Sequence, residues 1–213
     1  MLAGRSLEGA DLSGLDLSGA DLAHADLDYV NLTDANLTGA DLAGARLNLA
    51  WLMRTNLTHA DLSGVALHGP VTAPGMADVP KDAPILVGAN FAGAEIIARL
   101  NGDASGANFA HANLGADIRN QSMGMLRTDF NNANLRGADF AGASLDYATL
   151  RFADLTGANL RGARLHYADL SGADLTRADL TGADLTHADL TDAILTDARG
   201  LATVKGLKPG RSP

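Results

Sequence analysis

The chain contains no cysteine, few aromatic residues and no long apolar run. The missing cysteine excludes disulfide bonds and thiolate metal sites. Aromatic residues make up 4% of the 213 residues, so large rings cannot dominate a core. No apolar run approaches the roughly 20 residues of a membrane-spanning helix, and residues 1–6 lack the apolar segment of a signal peptide. We therefore expect a cytoplasmic protein without a membrane partner; a periplasmic or exported protein is the alternative if a signal peptide has been removed.

A five-residue repeat of leucine and alanine fills most of the chain. Leucine occupies every fifth position from Leu2 to Leu67, and leucine or phenylalanine does so from Phe130 to Leu195. Five steps rotate an α-helix by about 140°, and an odd step crosses to the opposite face of a strand. Neither a helix nor a straight strand therefore keeps these residues on one face. The period predicts short extended segments separated by corners, with leucine and the alanine two positions earlier pointing inward.

The segments ADLSG, ANLTG, ADLTH and ANLRG resemble the pentapeptide repeat family, over residues 2–67 and 86–195. The resemblance implies an all-β fold, a right-handed and four-sided parallel β-helix with four pentapeptides per coil. About nine to ten coils at the usual strand spacing would form a rod of roughly 45 Å. The predicted structural core includes Leu12, Leu22, Leu32, Leu42, Phe140, Leu150, Leu160, Leu170 and Leu180.

Interruptions of the repeat divide the chain into five segments. Regular coils are predicted over 1–67 and 129–197, a proline-rich loop insertion over 68–88, irregular coils over 89–128, and a C-terminal cap with a basic tail over 198–213. The expected core residues of the irregular segment are Phe91, Ile96, Phe109, Leu114, Ile118 and Met123. Leu201, Val204 and Leu207 are predicted to form one face of a short helical cap.

The proline-rich insertion is either a tolerated surface loop or a loop that contacts a partner. Four outward residues, Tyr29, Leu49, Trp51 and Met53, are expected to form an apolar patch on the coils before it. We expect Val71 and Met76 of the insertion to cover this patch. The alternative is that the patch contacts another protein.

Residues twenty apart should stack in successive coils, so the sequence also predicts surface columns. Tyr147, Tyr167 and His187 form one outward column, and Asp169 lies below Asp189 nearby. Such columns are either corner residues that pack on themselves or a docking surface. The candidate partner contacts are Tyr29, Trp51, Met53, Tyr147, Tyr167, Asp169, His187 and Asp189.

The sequence contains no pattern typical of catalysis or metal binding. All six histidines occupy outward corner positions, and none has a metal-ligand spacing to another histidine or a carboxylate. There is no nucleophile motif and no phosphate-binding loop. We expect a protein that is not an enzyme and that uses no cofactor and no metal.

The formal net charge of −9 disfavours direct nucleic-acid binding. Some members of the family that the chain resembles are DNA mimics that bind DNA gyrase and protect it from quinolones or toxins. We predict a structural or protein-interaction scaffold of unknown partner, with a gyrase-binding DNA mimic as the alternative. An open coil end exposes unpaired edges, so either a homodimer through the N-terminal coil or a missing native segment would cover it.

Overall fold

The computed structural model describes residues 2–69, 80–116 and 126–207. The chain winds as a parallel β-helix in which a typical five-residue unit has one bridged residue, an inward leucine, two turn residues and a second inward residue that is usually alanine. Parallel bridges join residues twenty apart, for example Asp11 with Asn31 and Asp169 with Asp189. Four such units complete one coil, so the coil has four sides. The predicted stacking of positions twenty apart is therefore confirmed.

Longer regular elements are rare. Strand β1 (Ala66–His68) pairs in parallel with strand β2 (Glu95–Ile97), and among the described residues single 3-10 turns occupy Pro80–Asp82 and Leu201–Thr203. Within the three described ranges no helix is long and apolar enough to cross a membrane.

The four sides are named here by their inward residues. Side A carries Leu22 and Leu42, side B carries Leu27 and Leu47, side C carries Leu32 and Leu52, and side D carries Leu37 and Leu57. Each side is one column of the sheet that runs along the rod.

Each corner is built from the two residues after the inward leucine. In the regular coils the second of them has a left-handed backbone, as in Gly182 with φ 70° and Tyr167 with φ 57°. The aspartate or asparagine before the leucine closes the turn: Asp174 Oδ1 accepts the N–H of Thr176 at 2.9 Å. This is an Asx turn. The repeated acid is therefore a turn-forming residue as well as a surface charge.

The leucines and alanines of the repeat form one hydrophobic core along the rod. Among the predicted core residues, Leu22, Leu32, Leu42, Phe140, Leu150, Leu160, Leu170 and Leu180 are buried. Leu12 is only partly buried, because it lies in the first coil and is covered by a neighbouring coil on one side. A fully buried leucine contributes about 2 kcal/mol, so the stacked columns account for most of the stabilisation.

The irregular middle contains a coil that is two residues short. Asn90 bridges to Asn108, eighteen residues later. The inward residues Ile96, Leu100 and Ala104 are consequently four residues apart. A search at a five-residue period passes over Leu100 and Ala104, which is why they were missing from the predicted core.

Four buried phenylalanines fill this region. Phe91, Phe109 and Phe140 stack along side A, with 5.0 Å between the ring centroids of each neighbouring pair. Phe130 meets Phe109 edge-on at 5.6 Å. The predicted core residues Phe91, Ile96, Phe109 and Leu114 are buried, whereas Ile118 and Met123 lie outside the described residues.

The predicted C-terminal helical cap is replaced by a continuation of the coil. Leu201–Thr203 is a single 3-10 turn and Leu201 is exposed, while Val204 and Leu207 are partly buried against the core. Lys205 bridges to Asp184, so the backbone follows the coil below it instead of forming a helix. The three residues therefore do not share one buried face.

Two glycines of the last coils provide a test of this close backbone contact. Gly182 and Gly206 both have left-handed φ, of 70° and 85°. A Cβ at Gly182 would meet nothing within 4 Å, whereas a Cβ at Gly206 would lie 2.5 Å from the Thr186 backbone nitrogen. Gly182→Ala should cost about 1 kcal/mol from backbone strain alone, and Gly206→Ala should cost clearly more. Urea unfolding of both variants measures this difference, and equal losses would contradict the docked C-terminal segment.

Candidate functional site

The two predicted surface clusters lie on the same corner of the rod. Tyr29 and Leu49 in the first half, and Tyr147, Tyr167 and His187 in the second, each follow an inward residue of side B by two positions. Unbroken parallel bridges along side B connect the two groups through β1 and β2. The corner between sides B and C thus carries most of the exposed rings that the sequence analysis singled out.

The second group forms a continuous stack of rings, which we name the aromatic ridge (Tyr147, Tyr167 and His187). The ring centroids of Tyr147 and Tyr167 are 5.0 Å apart with 5° between the ring planes. Those of Tyr167 and His187 are 4.7 Å apart with a 19° angle. The rings therefore cover one another's faces and present edges to solvent, and Tyr167 is 51% exposed.

The backbone of the aromatic ridge is strained. Tyr147, Tyr167 and His187 have φ values of 63°, 57° and 63°, in the left-handed region that side chains other than glycine adopt at a cost of about 1 kcal/mol or more. Ring stacking contributes about 0.5–1.5 kcal/mol per pair and offsets this strain. The stack is therefore the local reason that these residues are tolerated at a glycine position.

Three histidines at other corners pack on a glycine of the next coil instead of on another ring. The imidazoles of His24, His59 and His111 each lie over the glycine of the next coil, so that a Cβ on that glycine would be 2.4–2.7 Å from Nδ1. These histidines serve corner packing. None of them continues into a column of rings.

On side B the charges beside the aromatic ridge neutralise one another. Arg164 forms an ion pair with Asp146, and His166 Nε2 lies 3.0 Å from Asp184 Oδ2. Lys205 Nζ lies 3.9 Å from the same Asp184 oxygen. The hydroxyl of Thr186, and next the His166 side chain, lower the pKa of Asp184 well below its usual range.

On side C the flank is more acidic. Asp169 and Asp189 occupy neighbouring coils, and the nearest cation is Arg151, whose Nε lies 3.7 Å from Asp169 Oδ2. Asp189 has no ion pair with any of the described residues. The hydroxyl of Thr191, followed by its backbone N–H, lowers the pKa of Asp189. Among the described residues, the two aspartates therefore share a single arginine.

The predicted apolar patch of Tyr29, Leu49, Trp51 and Met53 is largely exposed in the described part of the chain. Trp51 is 45% exposed, Tyr29 and Leu49 are exposed, and Met53 is partly buried. Leu49 lies against Gly69, where a Cβ would meet its side chain at 2.4 Å. The residues expected to cover this patch, Val71 and Met76, lie outside the described residues.

At the end of the insertion, charged hydrogen bonds from Arg54 join the coil to the turn Pro80–Asp82. Arg54 donates to both carboxylate oxygens of Asp34 at 2.7 Å and to Asp82 Oδ1 at 2.9 Å. These bonds raise the pKa of the Arg54 guanidinium. They attach the turn Pro80–Asp82 to the coil that contains Trp51.

Phe152 is an exposed ring that the sequence analysis did not include. It is 61% exposed, has φ 56°, and lies over Gly172, with the Arg151 guanidinium carbon 5.8 Å from its ring centroid. It occupies the position two after Leu150, on the corner between sides C and D. Tyr147 was singled out as a ring two positions after an inward leucine, and the same criterion applied to Leu150 would have found Phe152.

In the part of the chain that the structure describes, no three histidine, aspartate or glutamate side chains are grouped so that they could hold a metal ion.

Comparisons with known proteins agree on the repeat. The sequence profile of the family described as Pentapeptide repeats matches residues 2–39, 31–69, 126–162 and 158–197, with eight copies. No curated protein matches the chain.

Several solved structures resemble the chain. HetL, a pentapeptide repeat protein involved in heterocyst differentiation regulation from the cyanobacterium Nostoc sp. strain PCC 7120, is 31% identical over 92% of this chain and 88% of its own, with a TM-score of 0.36. A pentapeptide repeat protein from the Arabidopsis thaliana thylakoid lumen is 32% identical over 50% of this chain and 69% of its own, with a TM-score of 0.42. QnrB1, a plasmid-mediated fluoroquinolone resistance protein, is 20% identical over 93% of this chain and 84% of its own, with a TM-score of 0.43.

The balance of strain and stacking in the aromatic ridge can be measured at Tyr167. Tyr167→Ala removes both ring contacts and keeps a left-handed Cβ, whereas Tyr167→Gly removes the contacts and relieves the strain. We expect Ala to lower the free energy of unfolding by about 1–3 kcal/mol and Gly to lower it by about 1 kcal/mol less. Arg177→Gly is the control, because Arg177 has φ 58° and stacks on no described ring; it should not destabilise. Equal free energies of unfolding for the two Tyr167 variants in urea would show that the left-handed backbone at this position is not strained.

Proposed function

Because the chain belongs to the pentapeptide repeat family, we propose that it is a non-enzymatic protein-interaction scaffold whose partner docks along the aromatic ridge. Right-handed β-helices are typical of this family and agree with the four-sided parallel coil. We further propose a rod of about nine to ten coils, located in the cytoplasm, that works without a cofactor. An end-to-end homodimer stays a prediction.

The observation that carries this proposal is the position of the stacked rings. In the described residues the interior of the coil is packed with leucine, alanine and phenylalanine, so recognition is expected on its outer surface. Tyrosine is enriched at protein interfaces, because its ring supplies a large contact area at a low cost in side-chain entropy. The stack holds Tyr147, Tyr167 and His187 in one conformation before binding. Such preorganisation reduces the entropy lost on association.

A gyrase-binding DNA mimic is the second candidate. The column Asp21, Asp41 and Asp61 on side A supports it, because these carboxylates follow one another in three coils without an intervening base. Other acidic columns are interrupted, as by Arg164 on side B, and the acids also serve the turns. The scaffold is therefore the first proposal.

Photo-crosslinking tests the scaffold proposal. A benzophenone amino acid in place of Tyr167 should form a discrete adduct with one protein in cells of the source organism. The control carries the same probe in place of Arg177, which is also exposed on a left-handed backbone but lies on the corner between sides D and A, away from the ridge and from side C. Adding Tyr147→Ala and His187→Ala to the Tyr167 probe should abolish the adduct. The same adduct from both probe positions, or none from position 167, would argue against the ridge as the contact.

A supercoiling assay with purified DNA gyrase tests the second candidate. If the column on side A mimics DNA, micromolar protein should inhibit supercoiling or protect gyrase from a quinolone, because the carboxylates would occupy the DNA-binding surface. Asp21→Asn combined with Asp41→Asn should then remove the effect. Asp169→Asn combined with Asp189→Asn provides the matched control with the same charge change on side C. No effect of the wild-type protein would eliminate this candidate.

A further inference from the structure

The stacked arrangement of the aromatic ridge restricts what it can bind. Sugars and nucleic-acid bases are recognised largely by stacking on an open aromatic face. In Tyr147, Tyr167 and His187 the ring faces are directed at one another, at 4.7–5.0 Å between centroids. The middle ring, Tyr167, therefore offers only its edge and hydroxyl group. A ligand that requires a free face of this middle ring does not fit here.

The charges on the two sides of the aromatic ridge indicate where a partner's charges would lie. On side B each acid is already paired, Asp146 with Arg164, and Asp184 with His166 and Lys205. On side C, Asp169 and Asp189 share only Arg151. The unbalanced charge beside the ridge is thus negative and lies on side C.

Arg151 shows that a guanidinium group is accommodated beside these carboxylates. Its Nε lies 3.7 Å from Asp169 Oδ2, and its charge also contributes to the lowered pKa of Asp189. Its side chain remains exposed, and its guanidinium carbon lies 5.8 Å from the Phe152 ring centroid. Asp189 in the next coil keeps one carboxylate oxygen, Oδ2, outside the Thr191 turn.

We propose that the aromatic ridge and the adjacent pair Asp169 and Asp189 bind a basic protein segment rich in arginine or lysine. This inference rests on the scaffold function proposed above and names the chemistry of its partner. The cationic groups pair with the two carboxylates, which lie about one strand spacing, 4.8 Å, apart. The aliphatic stems of the same side chains pack against the ring edges of Tyr147 and Tyr167.

Arg151 acts as an internal competitor in this arrangement. A partner cation that approaches Asp169 must share the carboxylate with Arg151 or displace it. Removing the Arg151 charge should therefore tighten binding. Arg161 offers a matched control, because it pairs with Asp179 at 3.3 Å on another corner and its loss changes the net charge by the same amount.

Fluorescence anisotropy tests the proposal with the full chain. The probe is a fluorescein-labelled peptide of four Arg-Ala repeats, and a Glu-Ala peptide of equal length is its control. Asp169→Asn with Asp189→Asn, and separately Tyr147→Leu with Tyr167→Leu, should each weaken binding of the basic peptide by about fivefold or more. Asp21→Asn with Asp41→Asn should change it by less than about twofold, since this pair lies away from the rings. Arg151→Gln should tighten binding, and Arg161→Gln should leave it unchanged.

Equal weakening by the two pairs of asparagine variants would overturn the proposal, because it would show attraction to the net charge alone. Failure of the wild-type protein to bind the basic peptide at about 0.1 M salt, where distant charges are screened, would also overturn it. Circular dichroism and urea unfolding establish that each variant is folded before its binding is compared. A position-167 crosslink obtained together with no basic-peptide binding would keep the scaffold function and reject the basic partner. Absence of both would reject the two together.

Discussion

The corner residue with left-handed φ, two positions after the inward leucine of each regular five-residue unit, is the constraint on which the rest of this structure depends. It turns the chain through one corner of the four-sided coil and directs the next side into the sheet. The amide of Tyr167, for example, donates to the carbonyl of Thr186 in the following coil. Because each side is only a few residues long, the coil encloses mainly leucine and alanine, with four phenylalanines in its irregular middle. The interior is therefore used for stability, and differences between coils appear at the surface.

The same constraint explains why the surface rings are informative. Glycine satisfies a left-handed corner at low cost, so a bulky residue there requires compensation. His24 and Phe152 obtain it by covering the glycine of the next coil. Tyr147 and Tyr167 obtain it by stacking, which needs aromatic residues at the same corner in successive coils. The ridge is thus a property of the column as a whole.

The many aspartates require a similar distinction between structural and functional charge. An acid before the inward leucine accepts the N–H that closes its own turn, so the net charge of −9 follows partly from the fold. Sides B and C differ in whether their aspartates form ion pairs with nearby cations. Asp146 pairs with Arg164 and Asp184 with Lys205 on side B, whereas Asp169 and Asp189 on side C share one arginine. It is this local imbalance that makes one flank of the ridge suitable for a cationic partner.

The five-residue period by itself determined a coil of short extended segments and corners with a leucine and alanine core, because neither a helix nor a straight strand keeps these residues on one face. The twenty-residue coil and its columns were implied by the resemblance to the pentapeptide repeat family, and the bridges confirm them. Tertiary structure decided what lies outside that period. The eighteen-residue coil with Leu100 and Ala104 inside, and the C-terminal segment that follows the coil instead of forming a helix, depend on contacts between coils. Stacking across the irregular middle also placed Tyr29 and Tyr147 on one corner. That alignment depends on how many residues each irregular coil contains, which only its bridges to neighbouring coils establish.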